Sequence, residues 1–328
     1  MTLARILVVS LGGTITMTQS ATGGIAPTLT ADHLIASVPQ LAQVATLEAF
    51  TQFSMPGASL SVQNLADVAR LLREKFATGI DGAVVVQGTD TIEDTAFVLD
   101  MLAKHGKPVV VTGAMRGPQA AGADGPANLL AAVSVAADRR VAELGVVVVL
   151  NDEIHAARWV QKSHTSLTSA FESPGVGRIG IVAEGRIEIF MQPAKALPPI
   201  TSALDQPSRV AQISLGLGEQ GWLLPALSGL GYTGAIIEGM GAGHVPAAAV
   251  DAISDLVAQM PVVLCSRVRA GRVFTQTYGF AGSEMDLAKR GVICCGHLSS
   301  AKARLLLTLL QSTGATNEAI RSAFEKTA

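Results

Sequence analysis

Short, uninterrupted runs of Val and Ile, each followed by a longer Ala/Leu-rich amphipathic stretch, constrain this chain more than any other feature. The runs lie at Arg5–Ser10, Ala83–Gln87, Pro108–Thr112, Gly145–Leu150, Arg209–Ser214, Ala235–Glu238 and Pro261–Cys265. Helical patterns fall between them at Ser61–Ala77, Thr91–Lys104, Gly125–Ala137, Val245–Gln259 and Ser300–Gln311. An apolar run without polar alternation predicts a strand buried on both faces, the condition of a parallel sheet covered by helices. Regular strand–helix alternation predicts the same α/β architecture. Met191–Pro207 breaks the pattern with four of the 14 prolines and reads as a linker. The predicted organisation is a larger N-terminal parallel-sheet α/β domain over residues 1–190, a linker at 191–207 and a smaller C-terminal α/β domain over 208–328.

Hydrophobic residues make up 49% of the chain and charged ones 15%, with a mean hydropathy of +0.41. That balance excludes a disordered chain and raises the question of a membrane. The long uncharged stretch at residues 6–31 is filled with Gly, Ser, Thr and Pro. Runs such as Val84–Val86 and Val147–Leu150 fall far short of the roughly 18 apolar residues a span needs, so no membrane partner is expected. A net charge of −2 with no basic stripe argues against nucleic acid as a partner. The three cysteines, Cys265, Cys294 and Cys295, form neither a disulfide framework nor a metal pattern, and the pair in GVICCGHL reads as buried structural thiols. No HxxxH spacing occurs among the six histidines, so no metal is expected. MTLARILVVSLGG runs directly into a β-like segment without the charged, apolar and small-residue regions of a signal peptide, and no Asn-x-Ser/Thr site occurs. A cytoplasmic protein is the expectation.

Ligands of open parallel sheets bind beyond the carboxyl ends of the strands, and two threonine motifs fall there. Ser10-Leu11-Gly12-Gly13-Thr14-Ile15 comes after the first strand, its glycines allowing a tight turn that leaves the Thr14 hydroxyl facing a crevice. Gln87-Gly88-Thr89-Asp90-Thr91 lies between a Val-rich strand and a helix with Glu93 and Asp94 in its first turn. Those acids complement the helix dipole, and Thr89 or Thr91 serves equally well as a helix cap or as a reactive group.

Taken together, SLGGTI, DGAVVVQGTDTIEDTA (Asp81–Ala96), VTGAMR (Val111–Arg116), ADGPANL (Ala123–Leu129), LNDEIHAARWVQKSHT (Leu150–Thr165) and YGFAGSEMDLAKRG (Tyr278–Gly291) resemble the bacterial-type L-asparaginases. That family of amidohydrolases also includes the glutaminase-asparaginases, and the resemblance spans nearly the whole chain. It implies hydrolysis of L-asparagine to L-aspartate and ammonia, without a cofactor, through a threonine nucleophile and an acyl-enzyme. By the same resemblance Thr14 is the nucleophile, and Thr89, Asp90 and Lys162 form a proton-handling group. A lysine amine can accept a proton, and a carboxylate can orient it. Asp90 and Glu284 would bind the substrate α-ammonium, Glu284 from a neighbouring subunit. Ser59 would bind the α-carboxylate, and the Ala114 carbonyl would meet the leaving amide nitrogen. His244 stands where some members carry a substrate-contacting asparagine, and reads equally well as a surface-loop histidine. The implied assembly is a dimer of dimers. Without the resemblance, Lys162 reads as a solvated lysine and Glu284 as an exposed acid.

The chain departs from the family in three places. The family's lid tyrosine is missing from TITMTQSATGGIAPT, since the two tyrosines are Tyr232 and Tyr278. Thr16, Thr18, Gln19 or a water bridged to Glu284 could activate Thr14 instead, while Gly23 and Gly24 still suit a moving lid. Gln87 replaces a histidine common before GTDT, and Leu60 stands after Ser59 where a polar residue is often found. The missing tyrosine keeps open a non-catalytic amino-acid-binding protein on the same scaffold, and pocket chemistry leaves open a broad glutaminase-asparaginase. A more remote rival is dinucleotide binding: Gly216-Leu217-Gly218-Glu219-Gln220-Gly221 has the GxGxxG form, with Glu238 ending the next strand and Pro225 inside the helix that should come after it.

Overall fold

The computed structural model describes residues 2–19, 25–103, 106–193 and 197–327, and Gly23 and Gly24 lie outside them. The chain divides into two compact units, Met1–Pro199 and Ile200–Ala328.

In chain order the strands of the first unit are β1 (Ala4–Ser10), β2 (Met17–Gln19), β3 (Ile25–Pro27), β4 (Ala45–Thr51), β5 (Gly82–Val86), β6 (Val109–Thr112), β7 (Val146–Leu150), β8 (Glu153–Ala156), β9 (Gln161–Lys162), β10 (Phe171–Glu172), β11 (Gly180–Ala183) and β12 (Arg186–Ile189). Its helices are α1 (Ala31–Ala36), α2 (Val62–Ala77), α3 (Ile92–Leu102) and α4 (Gly125–Ala137). Eight strands form one sheet in the order β12-β11-β8-β7-β6-β5-β1-β4, with β2–β3 and β9–β10 as separate ribbons. From β4 to β7 every pairing is parallel, whereas β8, β11 and β12 extend the sheet antiparallel. The extension turns on Asn151–Asp152 and Glu184–Gly185, all with positive φ, the backbone of a two-residue hairpin.

Ile6, Val8, Val84, Val86, Val110, Val147 and Val149 point to one face and pack with Leu129, Ala132, Val133 and Ala136 of α4. The alternate residues Leu7, Val9, Val85 and Val111 are equally buried, and α3 lies against β6 and β7. Helices on both faces explain why these strands show no polar alternation. At the start of α2, Ser61 and Asn64 cap each other: the Asn64 N–H donates to Ser61 Oγ, and the Ser61 N–H donates to Asn64 Oδ1 at 2.9 Å.

The second unit carries β13 (Val210–Ser214), β14 (Gly234–Gly239), β15 (Val262–Ser266) and β16 (Ile293–Cys294), with α5 (Val250–Val257), α6 (Glu284–Lys289), α7 (Ser300–Ser312) and α8 (Asn317–Glu325). Its four strands form one parallel sheet in sequence order. The fold class is therefore the one expected, a larger α/β unit dominated by parallel pairing and a smaller α/β unit. No helix among the described residues is long and apolar enough to cross a membrane.

Two expectations need correction, and the remote rival falls away. The helix predicted from Val245 begins at Val250, because Pro246 starts a 3-10 turn over Ala247–Ala249 instead. The glycine motif after β13 is not a dinucleotide loop. It leads only into a 3-10 turn at Leu224–Ala226, so no helix N-terminus faces the loop. Glu219 Oε1 accepts the backbone N–H groups of Gln220 and Gly221, both at 3.0 Å, which are the donors a pyrophosphate would need. Glu238 accepts a hydrogen bond from Ser300 Oγ at 2.6 Å. Finally, Cys265 and Cys295 are buried but Cys294 is only half-buried. Burial, with the neighbouring Cys295 and Glu284, still pushes the Cys294 thiol up to about 11.

Candidate active site

Four neighbouring strands deliver five candidate residues at the carboxyl edge of the large sheet. β4 runs on to Ser59, β1 to Thr14, β5 to Thr89 and Asp90, and β6 to Ala114, in the spatial order β4-β1-β5-β6. The chain passes from β1 to β4 on one side and then crosses to β5 on the other. This is a topological switch point, where parallel sheets open a crevice.

Glycines let the loops meet there. Gly13, at φ 88°, lies so close to the next loop that a Cβ on it would fall 2.0 Å from the Gly88 nitrogen. A Cβ on Gly57 would fall 2.9 Å from the Gly88 carbonyl oxygen. Three backbones thus pack without intervening side chains, and Thr14, the Gly57–Ser59 turn and Thr89 are held side by side. Gly13→Ala combines a disfavoured φ with a backbone clash. It is expected to cost about 2–4 kcal/mol in urea unfolding and to remove turnover with it.

Thr14 opens the 3-10 turn Thr14–Thr16, is half-buried, and its hydroxyl makes no hydrogen bond among the described residues. Two of the candidate activators are engaged elsewhere. Thr16 Oγ1 donates to the Gly13 carbonyl at 2.8 Å, and Thr18 Oγ1 is paired with Thr28 Oγ1 at 2.8 Å. Thr16 therefore shapes the glycine turn, and Thr18 on β2 is tied to the residue directly after β3.

Around Thr89 the capping alternative fails, because no side chain caps α3. Lys162 Nζ lies 2.9 Å from Thr89 Oγ1 and 2.8 Å from Asp90 Oδ1. The solvated reading of Lys162 fails as well: its side chain is 18% exposed, against 67% for Asp90. Thr91 has a different task. Its Oγ1 donates to the Gly57 carbonyl at 2.9 Å and accepts from Gln87 Nε2 at 3.1 Å, tying the turn that bears the exposed Ser59 to the Thr89 loop.

Some supporting residues carried no signal of their role in the sequence. Glu93, read as a dipole-complementing acid, accepts the Lys162 backbone N–H at 3.3 Å. Asp124 and Asn128, within ADGPANL, build the loop after β6. Asp124 accepts the N–H groups of Met115 and Arg116, each at 2.9 Å, and Asn128 Nδ2 donates to the Gly113 carbonyl at 3.0 Å. Ala114 is thereby fixed and buried.

Glu284 and His244 form a second group in the C-terminal unit. Glu284 opens α6 and is fully buried, which overturns its reading as an exposed acid. Its Oε1 accepts the backbone N–H groups of Thr277 at 2.9 Å and Tyr278 at 2.7 Å. Burial alone would raise its pKa. The N–H donors of Tyr278, Thr277 and its own backbone, with the nearby His244, outweigh burial and hold it below the ordinary glutamate value. His244 is not a free surface residue: Nε2 lies 3.5 Å from Glu284 Oε2, and its ring meets Tyr278 and Phe280 edge-on at 4.7 and 5.2 Å.

A hydroxyl–lysine–carboxylate chain beside the Thr14 turn, at the switch point of the large α/β unit, can carry the proton transfers of amide hydrolysis. Residues 5–195 match the family model described as asparaginase, N-terminal, and residues 209–324 that of the glutaminase/asparaginase C-terminal domain. The chain belongs to the asparaginase family. It is 32% identical to the L-asparaginase of Bacillus licheniformis, with 93% of this chain and 95% of the relative covered. It is 34% identical to a glutaminase-asparaginase of Pseudomonas fluorescens biotype A, with 82% and 77% covered. The crystal structure of a "probable cytoplasmic L-asparaginase" from Campylobacter jejuni superposes with a TM-score of 0.89 at 31% identity, with 98% of this chain and 99% of that one covered.

Proposed function

We propose that the protein hydrolyses L-asparagine to L-aspartate and ammonia with Thr14 as nucleophile. The observation that carries this reading is Lys162 Nζ within hydrogen-bond reach of both Thr89 Oγ1 and Asp90 Oδ1, in the loop whose Gly88 packs on Gly13. Thr14 Oγ1 attacks the carboxamide carbon, and its proton passes to the departing nitrogen. Ammonia leaves, and an ester to Thr14 remains. Water then attacks the ester, with the Thr89–Lys162–Asp90 chain receiving its proton and returning one to Thr14. Ser59 binds the α-carboxylate, the Ala114 carbonyl meets the amide nitrogen, and Asp90 takes part of the α-ammonium charge.

Glu284 completes the ammonium site from a second copy of the chain, with His244 beside it, in a homotetramer built as a dimer of dimers. Its ionised carboxylate, of which Oε2 accepts no hydrogen bond among the described residues, suits a cationic ligand. A cytoplasmic location agrees with the description of the Campylobacter relative as cytoplasmic. The shared site has its own test. Mixing inactive Thr14→Ala and Glu284→Ala proteins under subunit exchange should restore part of the wild-type turnover, since some sites then combine intact halves. Mixtures that stay inactive although exchange is shown by mass would place Glu284 outside a shared site.

Ammonia release by the purified protein with L-asparagine and with L-glutamine tests the central reading. Turnover of L-asparagine supports it, and comparable kcat/KM values for both amides would make the protein a broad glutaminase-asparaginase. A folded protein that binds L-asparagine without releasing ammonia would be the amino-acid-binding alternative.

A further inference from the structure

The ribbon that carries Lys162 is fastened at its base by a histidine that the chemistry above does not use. Lys162 on β9 pairs with Phe171 on β10, and Gln161 pairs with Glu172. Two strands this short have little stability of their own, and residues 164–167 at the far end are exposed. The residue after β10 is Ser173, 4% exposed, and its Oγ lies 3.0 Å from Nδ1 of His155. His155 is 2% exposed and sits on β8 opposite Val148 of β7, so this anchor belongs to the main sheet. On the same strand face, Glu153 Oε2 lies 3.3 Å from His155 Nε2, while Glu153 Oε1 accepts from Arg178 Nη1 at 2.8 Å.

Serine, histidine and glutamate in hydrogen-bonded order have the form of a hydrolytic relay. Both Ser173 and His155 are closed off from solvent, so no substrate reaches that hydroxyl. We propose that His155 is a positioning residue for Lys162: its bond to Ser173 fastens the return strand of the ribbon to the main sheet and fixes where Lys162 Nζ meets Thr89 and Asp90. The outgoing strand is tied independently, by the Lys162 N–H to Glu93, so the ribbon is held at both sides of its base. The proposal deepens the function above and rests on the role given there to Lys162.

The anchor is also sensitive to acid. Burial lowers the His155 pKa; Glu153 and Glu172 oppose that shift and Arg178 reinforces it. The ring is therefore neutral at pH 7, whereas in the unfolded chain it takes up a proton at about pH 6.5. Protonation is then favoured in the unfolded state, so the stabilisation is full above that pH and declines as pH falls toward the folded-state value.

The test compares wild type, His155→Leu, His155→Asn, Ser173→Ala and Lys162→Met. It reads kcat and KM with L-asparagine, melting temperature from pH 5 to 8, and hydrogen exchange at the Ser163 amide, which donates to the Ala170 carbonyl at 2.6 Å. His155→Leu and Ser173→Ala should lower kcat by about tenfold or more, on the scale of a misplaced catalytic group, with KM changed less than about twofold. Both should speed exchange at Ser163 and leave the β5 amides unchanged. His155→Asn, which keeps a polar atom near the Nδ1 position, should recover most of kcat and lose the fall in melting temperature between pH 6.5 and 5. Folded His155→Leu and Ser173→Ala proteins with wild-type kcat and wild-type exchange at Ser163 would overturn the proposal. Should His155→Leu fail to fold, Ser173→Ala decides alone, since it removes one buried hydroxyl. Turnover retained by Lys162→Met would be a separate failure, of the site reading itself, and would overturn the proposal by removing the group that His155 is said to position.

Discussion

Thr14→Ala is expected to abolish ammonia release from L-asparagine and to leave the fold unchanged. The change removes an oxygen and a methyl from a half-buried side chain whose hydroxyl has no hydrogen-bond partner among the described residues. No buried polar group loses its partner, so the stability cost should stay below about 1 kcal/mol. Loss of a covalent nucleophile, by contrast, costs on the order of 10³-fold or more in kcat, because no other group can form the ester. Thr14→Ser keeps the oxygen and should retain a measurable fraction of turnover. The measurement is ammonia release with each protein, beside thermal melting to show that all are folded. Substantial turnover by Thr14→Ala would move the nucleophile elsewhere, with Thr89 the next candidate by position.

The second large effect belongs to Lys162. Methionine matches its length and apolar stem but can neither take a proton nor hold Thr89 Oγ1 and Asp90 Oδ1 together. Lys162→Met should lower kcat by about 10²–10⁴-fold, the range for loss of a positioned general base. Asp90 is mostly exposed, so water takes over its solvation. Thr89, buried at 6% exposure, loses its lysine partner, which sets the stability cost at about 1–3 kcal/mol. Rapid-quench measurement adds resolution: a burst of one ammonia per site and then arrest would assign Lys162 to deacylation alone. A slow first turnover would assign it to acylation as well.

Much of the fold could be read from residue pattern. Val84–Val86 and Val147–Leu150 show no polar alternation because both faces of β5 and β7 are buried, and a strand covered on both sides has no wet side to mark. β4 was not legible for the converse reason. ATLEAFT is a half-exposed edge strand paired with β1 alone, and its mixed composition resembles a loop. The antiparallel extension was hidden in the same way, since its hairpin turns use Asn151–Asp152 and Glu184–Gly185 in short polar segments. The Gly216–Gly221 motif, a remote rival from the start, specifies turns without specifying the element beyond them; here the chain continues into Pro225 and a 3-10 turn.

The sequence by itself determined which chemical groups this protein carries and which backbone positions must turn. Strand pattern and motif order sufficed to place Thr14, Thr89 and Ala114 at strand ends, because side-chain period and turn chemistry are local. Only the tertiary structure decided partnership. Lys162 meets Thr89 and Asp90 across 72 residues of chain or more, Gly13 meets Gly88 backbone to backbone, and Ser173 is tied to His155 on another strand. The fold likewise buries Glu284, and the backbone N–H donors there, with His244, outweigh that burial and keep its carboxylate ionised. Hydrogen bonds and desolvation depend on distances in space, and those are fixed when the sheet brings its strands into register.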